Sequence, residues 1–200
     1  LSMLLAAISM SRQRDVKRLL AYSSVEHMGI MVFGIGIGGA ATAGALLHVI
    51  HNGLTKGVLF LAAGNIHRAF GTKSTDALKG IVHRLPFSGG MFLAGFLAVT
   101  GSPPFAPFVS EYQILVATLE GRHYWSAGLF ALALLVVFIG MGSTVVGMVL
   151  GKPDEPSPDK LDRSPPRERW GTCLPIAAFM ALVVLLGIYN PPNLRLLIEE

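Results

Sequence analysis

Five polar side chains stand inside an otherwise greasy stretch, at a spacing that puts them on one side of a helix. Residues 41–68 read ATAGALLHVIHNGLTKGVLFLAAGNIHR, and His48, His51, Asn52, Thr55 and Lys56 sit near the middle. His48, Asn52 and Lys56 step by four, and His51 and Thr55 repeat that step one residue earlier. Residues three and four apart share a helix face, so the five form one stripe. An ionisable group at bilayer depth costs several kcal/mol, about 2.5–3.5 for Lys on insertion scales, so it persists mainly along a pathway or beside a partner. Imidazole, ammonium, hydroxyl and amide groups in one row can hand protons or cations along. The plainer reading is a polar seam between packed helices.

Three further features carry the same chemistry. Lys56 is the one Lys or Arg outside a loop or span end, too deep in residues 40–66 to snorkel comfortably. A buried Lys between apolar surroundings and a carboxylate is placed to exchange protons. Glu111 follows Gly101, Ser102, Pro103 and Pro104. The double proline breaks a helix and frees carbonyls, and such breaks at membrane depth serve ion sites in transporters. The alternative for Glu111 is an interfacial carboxylate. Glu26 and His27 follow Ser23 and Ser24, which read as helix caps. Glu26 is then either a first-turn acid favoured by the helix dipole or part of a proton entrance with His27 as shuttle. Glu120 and His123 read as ordinary interface residues.

The elements that must position these groups are membrane helices. The 200 residues are 52% hydrophobic and 14% charged, against about 25% charged in soluble domains. Mean hydropathy is +0.58. The expected fold class is all-α, a polytopic transmembrane bundle with one discontinuous helix near Gly101–Pro104. Six or seven segments fit: residues 1–10 (partial), 22–38, 40–66, 87–100, 105–119, 126–150 and 171–189, with no soluble domain and no internal repeat. The chain opens on Leu1 within an apolar run, which reads as a fragment beginning mid-protein. Residues 75–83 read as a short surface helix. Trp125, Trp170 and Tyr189 fall near expected interfaces.

Arg12, Arg14, Lys17 and Arg18 crowd one loop, and Arg68, Lys73, Lys79 and Arg84 crowd another two spans later. The positive-inside rule puts both in the cytoplasm. Counting residues 87–100 and 105–119 as separate crossings returns Arg122 and His123 to that side and leaves the loop 151–169 outside. That loop carries five Lys/Arg, five Asp/Glu and five prolines. The net charge of +4 thus reflects topology rather than nucleic-acid binding.

Soluble catalytic arrangements are missing: no GxSxG, HExxH, P-loop, CxxC or dinucleotide fingerprint stands in a credible context. The glycine-rich run at residues 34–39 lies between two spans and suits helix packing and a tight turn. Cys173 is the one cysteine, which excludes an internal disulfide. No haem, iron–sulfur or quinone site can be assembled, so no cofactor is expected.

These residues also carry a resemblance. QRDVKRLLAYSSVEHMGI, residues 13–30, resembles the Q-x-D-(L/V/I)-K-R-x-x-A-Y-S-S-(I/V)-x-x-x-G signature of antiporter-like subunits of respiratory complex I, Mrp-type cation/proton antiporters and membrane-bound hydrogenases. HNGLTKGVLFLAAGN, residues 51–65, resembles the H-x-x-x-K-x-x-L-F-L-x-x-G helix of that family. GSPPFAPFVSEYQIL, residues 101–115, resembles its G-x-P-P-F-x-x-F-x-(S/G)-(K/E) broken helix. The form of residues 23–29 looks most like the hydrogenase-4 component F and formate hydrogenlyase branch. The resemblance implies a 14-helix subunit of which this is the C-terminal half, a half-channel, and an axis of Lys, His and Glu. It places Glu111 at the terminal Lys or Glu of the broken helix and Lys56 and His48 on the connecting helix. Asn52 stands where relatives often carry His, with His51 one residue earlier.

The leading expectation is a proton- or cation-translocating subunit of a group 4 hydrogenase-type complex, in a prokaryotic inner membrane and without nucleic-acid partners. Other membrane subunits would surround it, with redox subunits beyond them. The alternatives are a subunit of a multi-subunit Na⁺/H⁺ antiporter or of NADH-quinone oxidoreductase, or a scaffold whose polar groups only pack.

Overall fold

Asp15 starts the helix that carries Glu26. Its carboxylate accepts from the backbone N–H of Lys17 at 2.8 Å and of Arg18 at 3.1 Å, satisfying two of the N–H groups a helix start leaves open. In the computed structural model, which describes residues 2–152 and 168–189, eight helices follow in order. They are α1 (Ser2–Ser11), α2 (Val16–Ile37), α3 (Ala40–Phe70), α4 (Ile81–Arg84), α5 (Pro86–Val99), α6 (Ala106–Glu120), α7 (Tyr124–Leu150) and α8 (Trp170–Ile188). α2, α3, α7 and α8 are each long and apolar enough to cross a membrane. No strand occurs among the described residues.

α2 begins at Val16, so Ser23 and Ser24 are mid-helix residues and not caps. Ser24 bonds back to the Leu20 carbonyl at 3.1 Å, as helix-interior serines do. The surface helix expected over residues 75–83 is a single turn at Ile81–Arg84. The chain before it is held by a bridge between Asp15 and Ser74 instead.

The 31 residues of α3 make it the axis, about 46 Å long. α2, α5, α6 and α8 all pack against it. Contacts along α3 fix the path of the broken helix. Asn65 Nδ2 donates to Ser88 Oγ at 3.2 Å, Gly95 lies against Leu59 and Val58, Ser110 meets His48 and His51, and Gly44 lies against Ile114. As numbers rise through α5 and α6 they fall along α3. The two helices therefore run in the same sense, end to end, as halves of one crossing.

That geometry corrects the sidedness of the later loops. Arg122 and His123 stand at the end opposite the basic loops. α7 then runs back, and Gly151 at its close lies near Lys79. The carboxylate of Glu168, just before α8, accepts from the N–H groups of Phe87 and Ser88 at 3.1 and 2.7 Å and so caps α5. Both ends of the 151–169 loop thus lie with the basic loops. The sequence count failed because it scored each half helix as a full crossing.

Gly101 turns the chain at the break with φ +66°, a conformation costly for any residue with a Cβ. Thr100, Gly101 and Ser102 still donate back to Phe96, Ala98 and Leu97, at 3.1, 3.2 and 3.0 Å, so few groups are left open. α8 covers the break: a Cβ on Gly187 would strike the Pro104 carbonyl and the Phe105 backbone. Beneath the polar groups, Leu59, Phe92 and Met141 are completely enclosed and tie α3, α5 and α7 together. Trp125 and Trp170 are about nine-tenths exposed, at the first turns of α7 and α8.

Candidate functional site, a buried chain of titratable side chains

α3 turns its polar stripe inward. His48, His51 and Thr55 are fully buried, and Asn52 and Lys56 are each 8% exposed. Glu26 and His27 on α2 are 1% exposed, and Ser110 and Glu111 on α6 are 0% and 5% exposed. The three helices meet here because small residues allow it: a Cβ on Gly34 would come within 2.9 Å of Ala45, and one on Gly44 within 3.0 Å of Ile114.

The side chains form a connected line. Glu26 Oε2 lies 3.3 Å from His27 Nε2. His27 Nδ1 is 2.9 Å from His48 Nε2, and His48 Nδ1 is 2.8 Å from Ser110 Oγ. Ser110 Oγ is also 3.3 Å from His51 Nδ1 and donates to the Pro107 carbonyl at 2.9 Å. Thr55 spends its hydroxyl on the His51 carbonyl at 2.8 Å. Lys56 Nζ donates to Ser23 Oγ at 2.8 Å and to the Leu20 carbonyl at 3.2 Å, one turn from Glu26 and His27 on α2.

One tautomer assignment satisfies this network. Ser110 has a single hydroxyl hydrogen, given to Pro107, so its lone pairs accept from Nδ1–H of His48 and His51. His48 Nε2 is then an acceptor, and His27 must donate from Nδ1. His27 Nε2 is then the bare nitrogen of the ring and faces Glu26 Oε2 at 3.3 Å, where an added proton could bridge them. The donors on His27 and His48 point from Glu26 toward Ser110, and His51 donates to Ser110 from the other side. A proton passed to His27 can release its Nδ1 proton to His48 and the His48 Nδ1 proton to Ser110, and the serine gives up its own hydrogen to His51 when that ring presents a bare Nδ1.

Glu111 completes the cluster. One of its carboxylate oxygens, a His27 ring nitrogen and a His48 ring nitrogen lie within 4.8 Å of one another. These three could ligate a divalent metal by type. The two rings, however, bond directly at 2.9 Å, closer than the roughly 3.3 Å between two ligands on a tetrahedral zinc. Glu111 Oε2 rests against Gly101, where a Cβ would collide with it. The break thus supplies the space the carboxylate occupies. Glu26 Oε1 and Oε2, His27 Nε2, His51 Nε2, Asn52 Oδ1 and Glu111 Oε1 make no hydrogen bond among the described residues.

The site therefore gathers His48, His51, Lys56, Glu26, His27 and Glu111 from three helices, with Gly101 against Glu111, whereas Pro103 and Pro104 are exposed at the break. Asn52 lines it without a bond of its own from Oδ1. Two participants escaped the sequence reading. Ser110 joins the two α3 histidines, and its only signal was its place beside Glu111. Ser23 holds Lys56, but the paired serines read as caps.

A helical membrane subunit with a buried titratable row beside a broken helix is the class these features define. Residues 1–139 match the family "NADH:quinone oxidoreductase/Mrp antiporter, TM", and the chain belongs to it. It is 36% identical over 193 residues to the hydrogenase-4 component F homolog of Methylacidiphilum infernorum, covering 96% of this chain and 38% of that one. It is 30% identical over 195 residues to NADH-quinone oxidoreductase subunit N of Desulforudis audaxviator, covering 94% and 39%. Its fold is similar to a chain of respiratory complex I from Thermus thermophilus with bound NADH, with TM-score 0.83, 25% identity, and 99% and 41% coverage. The chain thus spans about two fifths of the length of these relatives. It is a membrane protein, and the all-α bundle with a discontinuous helix is the fold found.

Proposed function

We propose that this chain is part of a proton-translocating subunit in the membrane arm of a hydrogenase-type redox complex, seated in a prokaryotic cell membrane with its basic end in the cytoplasm. The observation that carries the reading is the buried row His27–His48–Ser110–His51, joined by hydrogen bonds across three helices, with the Glu26 carboxylate 3.3 Å from the free edge of His27. Rings bonded directly to one another leave no room for a desolvated metal cation, so the row suits protons. Lys56, held by Ser23 one turn away, supplies a mobile charge whose position biases the row. Glu111 is the carboxylate at the break that takes protons onward. Other membrane subunits adjoin it, and electron transfer in redox subunits beyond them drives the charge shifts.

The test is Glu111→Gln in the complete complex, reconstituted in sealed vesicles. Gln keeps the shape and loses the exchangeable proton, so coupled proton movement is abolished while assembly is retained. Normal pumping by an assembled variant would refute the assignment.

A further inference from the structure

A second polar feature lies away from the buried row, at the basic end of the bundle. A cavity of about 610 Å³ opens where the end of α1, the turn before α4 and the last turns of α7 meet. Among the described residues, Arg12, Arg14 and Lys79 line it, with one carboxylate, Asp76. Asp76 pairs with Arg14 at 3.7 Å, and both side chains are largely exposed. Arg12 makes no ion pair among the described residues. The α7 wall adds the Ser143 and Thr144 hydroxyls and the bare backbone of Gly147. A Cβ on Gly147 would meet nothing within 4 Å, so the glycine leaves open space there.

The helix below this mouth has the matching character. Leu132, Leu135, Ile139, Ser143 and Gly147 follow one another at helical spacing on an outward face. Leu132, Leu135 and Ile139 are 51%, 54% and 61% exposed, a column of bare hydrocarbon inside a crossing helix. It turns to hydroxyl and glycine where the cations begin. A surface that is apolar along the span and cationic at the end matches an amphiphile with an anionic head, not a free anion. Basic recesses between transmembrane helices on the cytoplasmic side bind such headgroups.

We infer that this recess seats the phosphate of an anionic phospholipid between Arg12, Arg14 and Lys79, with an acyl chain along the Leu132–Leu135–Ile139 column. The site is independent of the buried row, and none of its residues lies on that row.

The intact complex, purified in mild detergent, is stripped of lipid and offered phosphatidylglycerol or phosphatidylcholine, with bound lipid read by native mass spectrometry. Phosphatidylglycerol is retained in preference. Retention falls about fivefold for each cation neutralised in Arg12→Gln and Lys79→Gln. Gly147→Leu fills the recess and lowers retention with every charge in place. Equal retention of the two lipids, or undiminished phosphatidylglycerol in all three variants, would overturn the proposal. So would inorganic phosphate displacing nothing from the lipid-loaded protein yet protecting the stripped one fully, which would mark a site for the free anion. Proton pumping measured alongside separates this outcome from that of the proposed function.

Discussion

Removing one oxygen atom at Ser110 should cut the buried row in two. Its hydroxyl is fully enclosed and is the bridge between His48, at 2.8 Å, and His51, at 3.3 Å, whose rings have no direct hydrogen bond to each other. In Ser110→Ala the His48 Nδ1–H loses a good partner and the His51 Nδ1–H a long one. A buried polar group left unpaired costs about 1–3 kcal/mol, and the longer bond belongs at the low end, so stability should fall by about 2–4 kcal/mol. Transport should fall further than stability, by about a hundredfold, the low end of what a positioned proton-transfer group contributes. The assay is acidification of inverted membrane vesicles, with the assembled complex quantified in the same preparation. Ser110→Thr keeps the hydroxyl and should restore transport, although its extra methyl crowds the α3–α6 contact at Gly44. An assembled Ser110→Ala that pumps at the parental rate would refute the reasoning.

Gly101→Ala should act through Glu111. The φ of +66° costs a residue with a Cβ about 1–2 kcal/mol, and the new methyl takes the place of the carboxylate oxygen. Transport should drop in the parental background and not drop again in a Glu111→Gln background; an additive loss would contradict the coupling. Sidedness is open to direct labelling, because the end-to-end α5 and α6 put Lys79 and His123 at opposite membrane faces. Lys79→Cys and His123→Cys should react with an impermeant maleimide from opposite sides, and labelling from one side would overturn the single crossing.

Much of this arrangement is legible in the chain because side chains on one helix obey a fixed period. The α3 stripe could be read from steps of four, and Glu111 from its distance to the double proline. What one helix shows of another is poorer. Ser110 and Ser23 are common residues in apolar helices, and only the neighbouring helix makes them a bridge and a tether. Glu26 moved from helix start to helix middle because Asp15, eight residues before Ser23, is the cap. The loop sides were misjudged because hydropathy scores an apolar half helix like a short span. Only partners such as Asn65–Ser88 and His48–Ser110 reveal that both halves follow α3 in one direction.

The most direct test of the central claim is the pH gradient built by the intact complex when His48 is replaced by Phe, a ring of similar size that can neither accept nor release a proton. The row predicts that the gradient collapses while the complex assembles and its redox reaction continues. A full gradient from the assembled His48→Phe complex would show that protons do not travel through this row.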